Sequence, residues 1–232
     1  MIKNSVFIKR IHFIFLFLSK VLSRKGITEF LKKELTLINY EAKVANIGAG
    51  GKIGELISAT AIKSGFTVTS LDIDPDRSPD ILCDITAPNL PKSSFDVIVI
   101  SEVLEHVTNP QNAVNGLDYL LKPGGKIILT VPFIFPIHDR PYDYYRYTRF
   151  GLEYLFRDMD DVKVVERNSW SEAIGVLIAR LIMEKSISAR LTAPFAVILA
   201  LIMLPAAIIL GWIIKTDFIT TGYLLTCKKP IS

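Results

Sequence analysis

Between Lys43 and Val131, short β-rich apolar runs alternate with stretches whose apolar residues recur every three or four positions. That alternation is the pattern of a parallel sheet joined by crossover helices. The runs are Lys43–Ile47, Phe66–Ile73, Ile81–Asp84, Phe95–Ile100 and Lys126–Val131. Between the first two, Ile53, Leu56, Ile57, Thr60 and Ala61 keep helical spacing, and Ser64-Gly65 supplies a stop. Pro110 opens another helix with Val114, Leu117, Leu120 and Leu121 on its buried side, closed by Lys122-Pro-Gly-Gly125. A polar and aromatic stretch follows, from Pro136 to Thr148, then a predicted helix through Phe156, a sixth strand near Val162–Glu166 and a last strand over Tyr223–Lys228. Ser171 to Ile214 is almost wholly apolar, interrupted by Arg180, Glu184, Lys185, Arg190 and two prolines.

Composition locates the apolar excess. A chain of 232 residues holds one α/β domain and an appendage, while a mean hydropathy of +0.37 is high for such a domain. The excess sits at the two ends. The net charge of +4 comes from basic residues that flank apolar stretches rather than line a face. Lys3, Lys9, Arg10, Lys20, Arg24 and Lys25 bracket Ile11–Leu18, a run too short to span a hydrocarbon core of ~30 Å. An interfacial helix is expected there; a cleaved leader is the competing reading, but no small-residue cleavage site follows. Cys83 and Cys227 lie in apolar strand-like runs, so neither a disulfide framework nor a metal site is suggested.

The candidate chemistry begins at Asn46-Ile-Gly-Ala-Gly-Gly-Lys-Ile-Gly-Glu55, a glycine-rich turn between a strand and a helix. Glycines there let the backbone approach a ligand and aim helix N-terminal N–H groups at it. Asp72, at the end of the next strand, stands where a ribose-binding carboxylate belongs; Asp74 is the substitute, one step into the loop. Cys83-Asp84-Ile85 ends the third strand and Ser101-Glu-Val-Leu-Glu-His106 the fourth. A nicotinamide-dependent oxidoreductase uses a similar turn and carboxylate, but its third glycine would fall on Ile53.

With the strand-end sequence Glu102-Val-Leu-Glu-His-Val107 and the turn Leu121-Lys-Pro-Gly-Gly125, this constellation resembles the class I S-adenosylmethionine-dependent methyltransferases, and the aromatic stretch Pro136–Thr148 resembles one in the branch associated with glycan and glycolipid pathways. The resemblance runs from about Lys43 to Tyr154, with a final strand at Tyr223–Lys228. It implies a Rossmann-like three-layer α/β sandwich, with a mostly parallel seven-stranded sheet and an antiparallel last strand. It also implies that Gly48, Gly50 and Gly51 pass under the methionine part of S-adenosylmethionine, that Asp72 holds the ribose hydroxyls, that Asp84 and Ile85 frame the adenine, and that Ser101 and Glu102 line the methionine side. Two departures stand out: Asn46 replaces the usual acidic residue, where its amide can still accept a hydrogen bond, and Lys52 replaces the third glycine. In this strand order the third and last strands lie on opposite sides of the first, so both cysteines are expected to stay unpaired.

Methyl transfer is an in-line displacement that needs positioning but no metal or covalent intermediate. A hydroxyl acceptor has a proton to lose, and His138, in the loop after the fifth strand, is the candidate base, with Asp139 to orient its ring. The bland alternative is that the pair ties down the loop; His106 is expected to pack near the cofactor at a helix start. Tyr142, Tyr144, Tyr145 and Tyr147 could stack on a sugar or quinone face with Arg146 on a phosphate, or form a packed flap. The expected acceptor is a hydroxyl on a glycan, glycolipid or prenyl-linked molecule, with a quinone precursor or small metabolite as the alternative. A non-catalytic cofactor-binding membrane scaffold is the reading from a different class. Nucleic acid is not an expected partner, because no basic face interleaved with aromatics covers the domain.

The last apolar run, Ala193–Ile214, is long enough on its face to cross a bilayer, but Pro205 divides it. An antiparallel last strand must also return to the side the chain left. A re-entrant or in-plane insert is therefore expected, anchored by Arg180, Lys185, Arg190 and Lys215 at the cytoplasmic membrane face. The expected organisation is a membrane-surface and lead-in region over 1–40, the catalytic domain over 41–170, the apolar membrane-associating insert over 171–217, and the last strand over 218–232.

Overall fold

The computed structural model describes residues 23–24, 26–182, 198 and 202–231. The apolar run Ile11–Leu18 and much of the Ala193–Ile214 run lie outside them. Seven strands, β1 (Lys43–Ile47), β2 (Thr67–Asp72), β3 (Ile81–Leu82), β4 (Phe95–Ser101), β5 (Leu121–Pro132), β6 (Asp160–Glu166) and β7 (Gly222–Lys228), form one sheet in the order β3-β2-β1-β4-β5-β7-β6. β1 pairs in parallel with β2 and β4, β2 with β3, and β4 with β5. β7 runs the other way. Lys229 exchanges hydrogen bonds with Gly124 and Gly125 at the start of β5 (3.0 and 2.9 Å), while Ile134, past the end of β5, donates to the Thr220 carbonyl before β7 begins (3.3 Å). The expected sheet, mostly parallel with an antiparallel last strand, is the one observed.

The apolar runs become strands because both faces of the central ones are covered. Val97–Ile100 in β4 and Ile127–Val131 in β5 are buried almost without interruption, as parallel strands under helices on both faces must be. β5 starts at Leu121, five residues before the run that predicted it, and the register explains why. Phe95 faces Leu121 and Val97 faces Lys126, so Lys122-Pro-Gly-Gly125 loops out of the ladder as a bulge. The turn chemistry and the strand pairing are both satisfied.

Helix α1 (residues 26–36) buries Ile27, Leu31 and Leu35 at helical spacing. α2 (Gly51–Ser64) stops at Gly65, whose left-handed conformation turns its N–H onto the Ala61 carbonyl. α3 (Pro110–Leu120) starts with Pro110 in its first turn and the Asn109 side chain accepting from the Asn112 N–H. Its buried face, Ala113, Val114, Leu117 and Leu120, packs into the main core, where truncating a residue such as Leu117 to alanine costs about 2–5 kcal/mol. Gly116 lets α3 approach the end of the β3 segment closely: a Cβ there would fall 1.8 Å from the Ile85 carbonyl oxygen. α4 (Arg149–Leu155) is capped by Thr148, which accepts the Gly151 N–H, and buries Leu152. Cys83 and Cys227 are free and buried, with four strands between the β3 and β7 segments that carry them.

The chain divides into two compact units. One comprises Thr28–Phe133, Ile137–Val165 and the chain from Tyr223 onward, and holds the core described above. The other gathers the described residues of 23–27, 134–136 and 166–222. Within it α5 (Trp170–Ile182) meets a helix over residues 202–213, here α6. The Trp170 indole N–H donates to the Ile214 carbonyl (2.9 Å), and Ser171 lies against Gly211. Asn168 fastens Thr220 and Thr221 through their hydroxyls and the Thr221 N–H. Ile202, Ile208, Ile209, Trp212 and Ile213 are exposed on α6. No helix among the described residues is both long and apolar enough to cross a membrane.

Candidate active site

The first unit carries every candidate cofactor-binding and catalytic residue, and most stand where strands β1 to β5 end. At the end of β1 the backbone enters the left-handed region at Gly48, Gly50 and Gly51 (φ 89, 85 and 65°). Gly48 is required twice over, by its φ and because a Cβ there would fall 2.5 Å from Val103 Cγ2. At Gly50 and Gly51 an added Cβ would meet nothing within 4 Å, so the turn faces open space. Gly50 caps α2 without a side chain, leaving first-turn N–H groups to an anionic ligand such as a carboxylate. Asp72 closes the arrangement. One of its oxygens accepts the Ala49 N–H (2.8 Å) and the other the Asp74 N–H (2.9 Å). Each oxygen keeps a second lone pair, the acceptor a sugar hydroxyl needs. Asp74 is occupied differently, capping a 3-10 turn at Pro75–Arg77.

Asn46 is buried, its amide nitrogen beside Gly54 in the first turn of α2. Asp84 is exposed and folded back on the Thr86 N–H and hydroxyl (both 2.8 Å), while the Ile85 side chain lies in the core. Ser101 and Glu102 both turn toward Thr130 of β5, a residue the sequence reading passed over. The Thr130 hydroxyl donates to Glu102 Oε1 (2.9 Å) and therefore receives from Ser101 (2.7 Å), since a carboxylate only accepts. Glu102 sits at φ 55°, and Asp139 at φ 46°. Non-glycine residues in that region carry a conformational cost and cluster at working sites.

Beyond Glu102 the chain makes a 3-10 turn over Leu104–His106, which brings a second group together. The Glu105 carboxylate is fully buried. His106 Nε2 lies 3.6 Å and His138 Nε2 3.8 Å from the same oxygen, Glu105 Oε1, and the two rings meet edge to face at 5.1 Å. Each ring is fixed through its other nitrogen: His106 Nδ1 donates to the Tyr142 carbonyl (2.8 Å), and His138 Nδ1 stands 3.3 Å from Asp143 Oδ2. Asp143, not Asp139, is the carboxylate against His138. Its side chain is 2% exposed, it also accepts the His138 N–H (2.9 Å), and the Arg146 guanidinium grips it with two bonds of 2.5 and 2.6 Å. That hydrogen bonding with Arg146 overrides burial and holds the Asp143 carboxyl down to about 2. Asp139 is 71% exposed, with Oδ2 3.9 Å from His106 Nε2. A side chain at the tip of a turn reaches whichever ring passes it, and sequence adjacency to His138 does not decide which.

The aromatic segment is a fastened flap. The Tyr145 hydroxyl donates to the Thr108 carbonyl (3.0 Å), the Tyr147 hydroxyl to the Leu104 carbonyl (3.1 Å), and the Tyr144 and Tyr145 N–H groups to the Glu105 carbonyl. Burial pushes the Tyr147 hydroxyl up, so it holds its proton. Arg146, pictured on a phosphate from sequence, is committed to Asp143. Asp143 was missed altogether; its signal is the Asp143-x-x-Arg146 spacing, which reads as an ion pair only once the loop is known to curl.

A family model for a methyltransferase domain matches residues 20–158. The ubiquinone biosynthesis O-methyltransferase of Coxiella burnetii is 28% identical over 170 residues, covering 64% of this chain and 68% of its own. Among solved structures, an S-adenosylmethionine-dependent methyltransferase from Archaeoglobus fulgidus is similar with a TM-score of 0.57 at 14% identity, over 89% of this chain and 94% of its own. Phosphoethanolamine N-methyltransferase 2 of Haemonchus contortus, crystallised with S-adenosyl-L-methionine, gives a TM-score of 0.56 at 16% identity, over 88% of this chain and 52% of its own. At these identities the two structures speak for the fold.

Proposed function

The chain belongs to the class I S-adenosylmethionine-dependent methyltransferases, and from that premise we propose that it O-methylates a phenolic hydroxyl on a quinone-precursor type of acceptor. The choice of a quinone precursor over the glycan or glycolipid acceptor follows the Coxiella burnetii relative, a ubiquinone biosynthesis O-methyltransferase.

One observation carries the oxygen-directed reading: the strand-end segment that packs on the cofactor turn also bears the proton-accepting groups. Val103 sits over Gly48, and two residues later Glu105 and His106 meet His138. Bound S-adenosylmethionine supplies a methyl group made electrophilic by its sulfonium sulfur. An acceptor hydroxyl taking that methyl group would have its proton to lose. The hydroxyl proton leaves to the Glu105–His106–His138 cluster. Asp143 and the Tyr142 carbonyl orient the two rings so that both Nε2 atoms face this point. Positioning supplies much of the remaining acceleration.

Working at a membrane surface is part of the same proposal, supported by the apolar side chains that α6 exposes, Trp212 at 73% among them, with Lys215 at its end. Reporters fused after Arg190 and after Ser232 are both expected on the cytoplasmic side; a far-side C terminus would defeat this placement.

The acceptor is tested with the purified full chain, S-adenosylmethionine and a panel of catechol-type quinone precursors, glycolipids and hydroxylated isoprenoids, read by mass spectrometry. A methyl-sized gain on the catechols is expected. Methylation confined to glycolipids would overturn the acceptor assignment.

A further inference from the structure

We propose that Lys52, with the first turn of α2, holds the methionine carboxylate of the cofactor and makes that carboxylate the group by which this chain selects it. The inference rests on S-adenosylmethionine being the ligand of the glycine turn. It names the part of that ligand which this chain's own departures from the family pattern recognise. Both departures, Asn46 for an acidic residue and Lys52 for a glycine, fall at this turn and shift its charge in the same direction. One takes away a negative charge and the other adds a positive one.

Lys52 follows Gly51 in the first turn of α2 and is exposed. Gly50 offers the helix start no side chain, and no acidic residue stands in the first turn. The Gly54 N–H bonds back to the Gly50 carbonyl (3.3 Å), so the N–H groups of Gly51, Lys52 and Ile53 precede the first helical acceptor. The positive end of the helix dipole disfavours a cation there, and first turns favour Asp and Glu instead. The lysine lacks the usual compensation. Among the described residues its side chain makes no ion pair or hydrogen bond, not even with the exposed Glu55 three positions on. An anion seated on the turn supplies that compensation, because the free N–H groups and the ammonium then act on the same negative charge.

Asn46 is the independent mark of a ligand. It is 3% exposed, and its amide nitrogen lies 3.6 Å from the position a Cβ on Gly54 would take, against the first turn of α2. Among the described residues that amide has no hydrogen-bond partner, although a buried polar side chain is ordinarily paired. A carboxylate in its place would repel an anion bound at the same turn, and the neutral amide does not. Asp72, the acid bonded to this turn, is held by the Ala49 and Asp74 N–H groups for the ribose. Over Gly50 and Gly51 an added Cβ would meet nothing within 4 Å, which leaves room for a group of carboxylate size.

The test is calorimetric binding of S-adenosylmethionine, S-adenosylhomocysteine and decarboxylated S-adenosylmethionine to the full chain, to Lys52→Gln and to Lys63→Gln. The first two ligands carry the carboxylate, and the third differs from the first only in lacking it. Lys52→Gln should weaken the first two equally, by about 10-fold, and the third by less than about two-fold. Wild type should bind the third at least about 100-fold more weakly than the first. Lys63, in the last turn of the same helix and roughly 16 Å along its axis, is screened from the site, so Lys63→Gln should match wild type throughout. Because removing Lys52 relieves a cation at the helix start, Lys52→Gln should unfold no earlier than wild type without ligand; earlier unfolding would make the lysine a part of the scaffold and overturn its role. Unchanged affinity of Lys52→Gln for S-adenosylmethionine, or an equal loss for all three ligands, would also overturn it. A gain for S-adenosylmethionine over S-adenosylhomocysteine would put the lysine beside the sulfonium and overturn the carboxylate assignment. Binding of none of the three by wild type would instead break the cofactor reading on which the proposal rests.

Discussion

At the end of β1 the chain prepares for a ligand by removing side chains. Beyond β5 it prepares by crowding them. Gly48, Gly50 and Gly51 bend through left-handed conformations and leave open space, and the charge that completes this side, Asp72, is held in place by backbone N–H groups. On the other side Glu105, His106, His138, Asp143 and Arg146 touch one another in sequence, each orienting the next. A backbone cradle recognises what every member of the fold class shares, whereas a side-chain cluster can be rebuilt for each acceptor without disturbing the sheet. The two sides meet at Val103, which packs on Gly48 and leads into the Leu104–His106 turn.

If this division holds, edits on the crowded side should change turnover and leave cofactor affinity alone, and edits on the cradle should do the reverse. The largest effect is expected from His138→Ala, which should lower turnover by roughly 10²–10⁴. Pre-steady-state methyl transfer with cofactor titration reads both quantities, and a parallel loss of cofactor affinity would break the comparison. Asp72→Ala should weaken S-adenosylmethionine binding by roughly 10- to 150-fold, the worth of a charge-assisted hydrogen bond. Calorimetry decides it. Because Asp72 also holds the Ala49 N–H, Asp72→Asn sharpens the result: it keeps an acceptor for the turn and removes the charge.

The third prediction concerns acid. The Asp143 carboxyl titrates at about 2 in the folded chain, below the unfolded value of about 3.9. A depressed carboxylate stabilises the fold fully above the unfolded pKa and loses that contribution as pH falls through the folded one. Denaturant unfolding should therefore show the wild type losing about 2 kcal/mol between about pH 5 and pH 2 that Asp143→Asn does not lose. Equal slopes would mean that the Arg146 pair is not the determinant. The smallest effect belongs to Asp139→Asn, expected to leave both turnover and cofactor affinity within about five-fold, as its exposed position at the rim implies. A loss as large as that of His138→Ala would return Asp139 to the centre of the site.

The sequence by itself determined the parts whose causes are local. β1 occupies Lys43–Ile47, where the apolar run lies, and α3 begins at Pro110 and ends at the run's edge, because burial periodicity, a capping asparagine and proline act within a few residues of themselves. The glycine turn and Asp72 belong to the same class, since one strand, one turn and one strand end fix their distance. Tertiary structure alone decided which carboxylate faces His138, that Ser101 and Glu102 turn to Thr130, and that His106 and His138 share Glu105. These contacts join segments such as His106 and Tyr142, 36 positions apart, and depend on how the loop after β5 folds back over the end of β4. Periodicity carries no record of such a return path. It is set by backbone hydrogen bonds from Tyr144 and Tyr145 to the Glu105 carbonyl, whose partners are chosen by the packing of the whole domain.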